Sequence, residues 1–431
     1  MRGWNWAVVG LWAVGCASAA PSAVAGADAG PDGVTAADTV AVADTGAETA
    51  SAAEVTLGAP PANLVVHHWA TFTVFHAAVA KQHVPGVGRD EEELPAFVHS
   101  RGFGPAGATT EWATPPLAKI QTAGAFFSAD APGDVRVDVT VPQGQVSADW
   151  PPATQPGPAA GPVALADGKA SWMLHIDPKL TMPIPAEATD SLWQALRATT
   201  GANVSNVDGK TATDRQLFYR ALGNFAPPLR ISAKKDTNFP GYTGTVSNDG
   251  DTTVPRAWLL YLHAGGGLMQ ALYSVPGKGT TPFSPTPKEA PADYYAKVKS
   301  TLQFELKDAG LTEQEAAALT ATFTHNWLKT FGLRVIVVAP QAWSDAYVQT
   351  KVTPTPSAEV HVMLGRFELL TADDEQLMLN KLKVAAIKAD QTILGQLGFF
   401  AEPKLRRAIQ AGDAGVQGFA TELLKAAEKV K

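Results

Sequence analysis

At 431 residues with 45% apolar content, the chain is long enough to bury one or two cores, and its single cysteine allows no internal disulfide. A formal net charge of −7 excludes the basic footprint of a nucleic-acid binder. Beyond the N-terminus no apolar run reaches the ~20 residues that a membrane helix needs.

The first predicted element is an export signal. Arg2 precedes a Trp- and Val-rich apolar run, Trp4 to Val14, and small residues follow, so residues 1–15 read as a cleaved signal peptide. Ala13-Val14-Gly15-Cys16 resembles the lipobox of bacterial lipoproteins, with Ala13 in place of the usual Leu. That resemblance implies cleavage before Cys16 and acylation of Cys16 as the new N-terminus. It places the chain in a cell envelope, with the membrane as a partner through lipid alone. Ala17 lacks the Asp that retains some lipoproteins at an inner membrane, which favours the outer one. Residues 16–60 then read as the lipidated cysteine and a linker. From 17 to 60 there is no aromatic and no Lys or Arg, and every charge (Asp28, Asp32, Asp38, Asp44, Glu48, Glu54) is acidic. Such a segment buries too little apolar surface to offset chain entropy and has a reach of roughly 35–40 Å.

The folded part is expected from about residue 61. Leu64 to Phe75 reads as a strand, and Val135 to Val141 alternates strictly between apolar and polar residues. A Pro- and Gly-rich loop, Pro151 to Pro162, precedes a short strand from Ala170 to Ile176. A helix is expected over Asp190 to Thr199, capped by Thr189 or Asp190. Asp214 to Leu222 fits a helical turn or a strand. Arg256 to Ala264 and Leu268 to Val275 flank Gly265-Gly266-Gly267 as a hairpin. Helical patterns then dominate. Asp293 to Ala309 is closed by Gly310, and Thr312-Glu-Gln-Glu315 is a capping box with Leu311 as its staple. That second helix is expected to run to Phe331, with Leu319, Phe323, Trp327 and Phe331 along one face and Gly332 as its stop. Strands at Leu333–Ala339 and Glu359–Leu370 follow. Thr371 caps a long helix to about Ala389, and helices near 403–411 and 415–430 finish the chain. The expected fold class is α+β: a β-rich, sandwich-like domain at 61–285, then an α+β domain at 286–431 packed on it.

Several phrases in this order resemble an uncharacterised family of exported bacterial proteins. Val66-His-His-Trp-Ala-Thr-Phe-Thr73 is similar to its V-H-E-W-G-T-F-T opening. Further phrases are Leu94 to His99, Val135 to Gly144, Leu217 to Gly223, Gly332 to Val338, Ala342 to Asp345 and Val362 to Glu368. The resemblance spans roughly residues 64–410 and implies a shared fold, with no activity attached. His68 stands where the family has Glu, Ala70 where it has Gly, and Ile120-Gln-Thr-Ala123 where it has M-E-T-P.

No catalytic motif assembles in the sequence. Adjacent strand residues His67 and His68 point to opposite faces, and His76, the next histidine on the His68 face, lies roughly 25 Å along the strand. No metal ligand, cofactor or catalytic residue is therefore assigned. His263-Ala-Gly-Gly-Gly267 faintly resembles an esterase oxyanion loop but lacks a G-x-S-x-G partner. Asn248-Asp-Gly-Asp251 lacks the distal Glu of a calcium loop. Arg89-Asp-Glu-Glu-Glu93 reads as a solvated charge run. His68, Trp69 and Trp112 are the candidate ligand contacts. Trp150 and Trp172 join Trp69 and Trp112 among the β-part tryptophans, for which core packing is the default. The expected function is a non-catalytic binding or structural module whose partner is an envelope polysaccharide or protein; the alternative is a hydrolase with a dispersed acid/base or metal site.

Overall fold

The computed structural model describes residues 56–428, apart from 90–92, 101–111, 154–162, 180–184, 187–191, 208–212, 237–240, 285–288 and 324–326. Cys16, most of the expected linker, the proposed cap at Thr189 or Asp190, and most of the Arg89–Glu93 run lie outside the described residues. Val55–Lys431 is one compact unit.

The chain opens with β1 (Val65–Ala77), β2 (Gln82–His83), β3 (His99–Ser100), β4 (Ala118–Ser128), β5 (Gly133–Val141), β6 (Gly144–Trp150) and β7 (Gly168–Asp177). After α1 (Leu192–Arg197) come β8 (Asn203–Asn206), β9 (Thr213–Asp214), β10 (Leu217–Gly223), β11 (Leu229–Lys235) and β12 (Tyr242–Asn248). The strands β13 (Ala257–His263), β14 (Gly266–Leu272) and β15 (Gly279–Phe283) complete the β-rich part. The remainder is α2 (Pro291–Asp308), α3 (Glu313–Ala321), β16 (Gly332–Val338), α4 (Gln341–Tyr347), β17 (Gln349–Thr353) and β18 (Ala358–Leu370). Four helices follow: α5 (Ala372–Lys388), α6 (Ile393–Leu397), α7 (Ala401–Gln410) and α8 (Ala414–Glu428). The α+β reading therefore holds, with a β-rich first part and helices concentrated in the second.

The expected domain boundary at 285/286 does not separate two sheets. The large sheet has the order β14-β13-β16-β18-β1-β4-β10-β6-β3, with β2 beside β1, so strands from both sides of residue 286 alternate within it. Its centre is the parallel pair β1–β18, in register from Val65↔Ala358 to Ala77↔Leu370. Smaller sheets have the orders β17-β5-β7-β8-β9 and β11-β12-β15. Alternation decides which layer each side chain joins. Val66, Ala70, Phe72 and Val74 of β1 share a core with Val135, Val137 and Val139 of β5 and Trp172 of β7. On the opposite face Trp69, Leu260, Ile336 and Leu364 pack with Tyr294, Val298 and Leu302 of α2 and Leu319 of α3. The helices α5 to α8 form a third core with Phe75 and Leu370.

The linker ends earlier than residue 60. The Gly58 amide donates to Asp134 Oδ2 at 2.8 Å, and Asp134 returns its own amide to the Ala59 carbonyl at 2.8 Å, which pins this segment to β5.

The capping box is present as read. Thr312 accepts from the Glu315 amide at 3.2 Å, and Glu315 Oε2 accepts from the Thr312 amide at 2.8 Å. The helix stops at Ala321 rather than Phe331. There the hydroxyls of Thr320 and Thr322 bond back to the Ala316 and Leu319 carbonyls, at 2.8 and 2.6 Å, competing with the ladder that would extend the helix. Phe323 and Trp327 remain buried and stacked, whereas Phe331 is 64% exposed. Gly332, at φ +122°, then turns the chain into β16.

The segment Leu333–Ala339, apolar but for one residue, contains a buried cation, Arg334. Arg334 is a cross-strand partner of Glu368, and its Nε lies 3.1 Å from Glu368 Oε2. Arg366, on the same face two residues before Glu368, reaches that oxygen through Nε at 2.9 Å and its terminal nitrogen at 2.7 Å. The Arg366 guanidinium lies 5.1 Å from the Phe400 ring centre and 5.7 Å from that of Trp327. Both arginines are fully buried.

Candidate functional site

His68 is the one sequence candidate that the fold places in a site. It sits on β1 directly opposite His361 of β18, and Glu359 lies two residues earlier on β18, hence on the same face. Cross-strand adjacency and strand period together make the three side chains converge. His68 Nε2 lies 2.9 Å from Glu359 Oε1, and His361 Nε2 lies 3.1 Å from the same oxygen. The two imidazoles stack with centroids 4.6 Å apart. His68 is buried, while Glu359 and His361 are partly open to solvent. Burial lowers the His68 pKa against the opposing pull of Glu359. The hydrogen bond from His68 holds the Glu359 carboxyl below its ordinary range, despite partial burial. His68 Nδ1 is buried with no hydrogen-bond partner, an arrangement that costs about 1–3 kcal/mol.

Beside this cluster lies a small open recess, with about 20 Å³ of room for water-sized molecules, whose walls include His68, His361, Tyr219, Ser344 and Thr350. Burial pushes the Tyr219 hydroxyl up to about 12, against its hydrogen bond with Thr350. At the recess, β17 forms an edge of the five-stranded sheet and pairs with β5 alone among the described strands.

The other candidates lie elsewhere. The Trp69 ring belongs to the opposite, helix-covered face and stacks on Phe126 at 4.6 Å, with only part of the residue reaching the recess. Trp112 forms an isolated bridge to Val163 and does not line the recess. Trp150 and Trp172 are core residues. Trp150 donates to Asp214 at 3.2 Å, a carboxylate also gripped by Arg197, and Trp172 donates to the Pro151 carbonyl at 2.7 Å. His67 points to the helix side, where Glu315 Oε2 lies 2.8 Å from its Nδ1 and ties the start of α3 to β1.

The glycine triplet is a hairpin turn. His263 Nδ1 accepts from the Gly265 amide at 3.0 Å, and a Cβ on Gly267 would lie 2.4 Å from the Tyr294 ring, so only glycine fits beneath α2. In the Asn248 loop, Asp249 pairs with Arg230 and Asp251 lies 3.5 Å from Lys278, so both carboxylates already face cations.

Glu359 and His361 were missed as site residues. Their Glu-x-His spacing on a recognised strand put two donors on one face, and that signal was available. Their pairing with β1 was not, because register across 291 residues leaves no local trace.

A second histidine pair lies towards the other end of β1. His76 Nδ1 is 3.3 Å from His83 Nδ1, with the Ile231 and Pro227 carbonyls beyond. Burial pushes the His76 pKa down to about 3, helped by His83 and Arg230. The unfolded chain therefore binds a proton near pH 6.5 that the folded chain refuses until about pH 3. Folding stability should fall across that window on acidification, by up to about 1.4 kcal/mol per pH unit from this group. Urea denaturation of wild type and His76→Asn at several pH values measures it. The difference between the two curves should slope between pH 6.5 and 3, and parallel curves would refute the assignment.

No family model and no curated protein matches the chain. Among solved structures it is similar to the Fcho1 mu homology domain of Danio rerio with bound Eps15 peptide, at 9% identity over 72% of this chain and 96% of that one, with a TM-score of 0.26. The yeast delta-COP-I mu-homology domain complexed with a Dsl1 WxWxV peptide is 7% identical over 73% of this chain and 98% of that one, also at 0.26. At these scores the likeness carries no argument about fold or ligand. Among the described residues no helix is long and apolar enough to cross a membrane.

Proposed function

We propose that this chain is an exported, lipid-tethered module of the family its phrases resemble, and that it holds an extended segment of a protein partner without chemically changing it. The observation behind the binding reading is the edge strand beside the open recess. With about 20 Å³ of room for water-sized molecules, the recess is too small for a small-molecule ligand. Its neighbour, β17, is an edge strand whose outer backbone groups can accept a further strand, and that edge carries the reading. A polysaccharide is the weaker partner, because Trp69, Trp150 and Trp172 are buried and only Trp112 of the four β-part tryptophans is partly exposed. The Cys16 context supports the lipid, and the acidic, aromatic-free stretch after it supports a tether.

The test uses the full chain in its native envelope. Intact mass should show an acylated Cys16 as the mature N-terminus; a start at Ala17 or later without lipid would remove the anchor. A photo-crosslinking residue at Lys351, on β17, should yield a discrete polypeptide adduct, and one at Tyr273, 88% exposed and outside the recess, should not. Adducts at neither position, or equally at both, would remove the binding reading.

A further inference from the structure

We propose that His68, Glu359 and His361 form a site for a divalent transition-metal ion of the zinc class, built where β1 and β18 run side by side. Their ligand atoms all lie within 4.8 Å of one another, and no other group of three or more such residues among those described meets that spacing. The donor set, two imidazole nitrogens and one carboxylate oxygen, suits zinc and its neighbours rather than calcium or magnesium, which favour oxygen ligands.

The distances fit as well as the chemistry. Tetrahedral zinc with bonds of ~2.0–2.1 Å separates its ligand atoms by roughly 3.3 Å. Two of the edges here, 2.9 and 3.1 Å, need to open by only a few tenths of an ångström, while the third, between the two histidines, is within 4.8 Å and has to draw in around the ion. As the cluster stands, both histidines direct Nε2 at one carboxylate oxygen, the arrangement an ion between them would take over. An entry path exists, since His361 and Glu359 are 25% and 32% exposed. His68 and His361 both border the recess, so a fourth position faces it and is open to water or to a donor from a bound molecule. The site does not depend on the partner reading. The protein supplies a rigid frame, because the ligands stand on paired central strands rather than on loops.

The site leaves no trace along the strand of His68, because its partners stand on β18.

The experiment is calorimetric titration of chelator-treated full-length protein with Zn²⁺ alone. Wild type should bind one equivalent, and its melting temperature should rise with free Zn²⁺. His361→Ala and Glu359→Gln should each weaken that binding at least ~100-fold, more than the loss of a supporting residue would. Their melting temperatures without metal should stay near wild type, because both side chains reach solvent. His175→Ala removes a histidine that pairs with Asp134 at 2.7 Å outside the cluster, and it should bind zinc as wild type does. Binding by wild type that survives both cluster substitutions, or its absence in wild type, would overturn the proposal. Equal loss in His175→Ala would do the same. Should His361→Ala fail to fold, the isosteric Glu359→Gln decides alone.

Discussion

Replacing Trp327 with alanine is expected to destabilise the protein by about 3–5 kcal/mol, the range for large aromatic truncations in a core. The ring is 2% exposed and stacks on Phe323 at 4.6 Å, nearly parallel. It belongs to the core that Ile336 and Leu364 present to the helices, and the Arg366 guanidinium lies over it. Its carbonyl also accepts from Arg334 at 2.8 Å, so a shift of this segment would reach the buried charges. Phe331→Ala is the comparison. Four residues along the expected stripe, Phe331 is largely exposed and should change stability by no more than about 0.5 kcal/mol. Urea denaturation midpoints separate the two. Equal effects would mean that Trp327 is not the core residue described.

Loss of Glu368 should be as damaging, for an electrostatic reason. Its carboxylate is the shared partner of Arg334 and Arg366, and Glu368→Ala leaves two buried guanidinium groups without it. Breaking such an arrangement from one side costs about 3–5 kcal/mol, because a buried charge keeps its desolvation penalty after losing its counter-charge. The strain should spread to α7. There Lys404 donates to the Leu397 carbonyl at 2.8 Å, and burial lowers the pKa of its ammonium against the attraction of Glu368 and Asp374. The triple change Arg334→Met, Arg366→Met, Glu368→Leu should recover much of the loss, since it removes every unpaired charge together. Denaturation curves of the single and triple variants measure this. A triple variant no more stable than Glu368→Ala would show that the guanidinium stacking on Phe400, rather than charge pairing, holds the region.

Local signals in the sequence were good guides where local chemistry sets the structure. The alternation of Val135 to Val141 marked β5, and the capping box at Thr312 and the cap at Thr371 marked the starts of α3 and α5. Where two conformations compete locally, the pattern said less. The stripe from Leu319 to Phe331 carried helical spacing past the threonines that end the helix. Asp214 to Leu222 was open between two readings until β4 and β6 took Leu217–Gly223 as a strand between them. Long-range pairing was not legible. Nothing in the strand Leu333–Ala339 points to a buried charge pair for Arg334, because its partner lies on β18. Glu359 and His361 were read only as the start of a strand. The site exists because a parallel register sets His361 opposite His68, and nothing near either residue specifies it.

The central pairing of β1 with β18 also dictates when the molecule can be completed. His68 and Glu359 are separated by 291 residues, so the first long strand must wait for nearly the whole chain before its parallel neighbour exists. Contacts so distant close large loops before they yield stability, and they slow folding. During synthesis β1 has only the antiparallel strands β2 and β4 at hand, and its other edge stays open until residue 370 has emerged. A fragment ending before β18 would present that edge as a bare, apolar template for aggregation. A chain of this topology gains from any agent that keeps it unfolded until its last strand arrives.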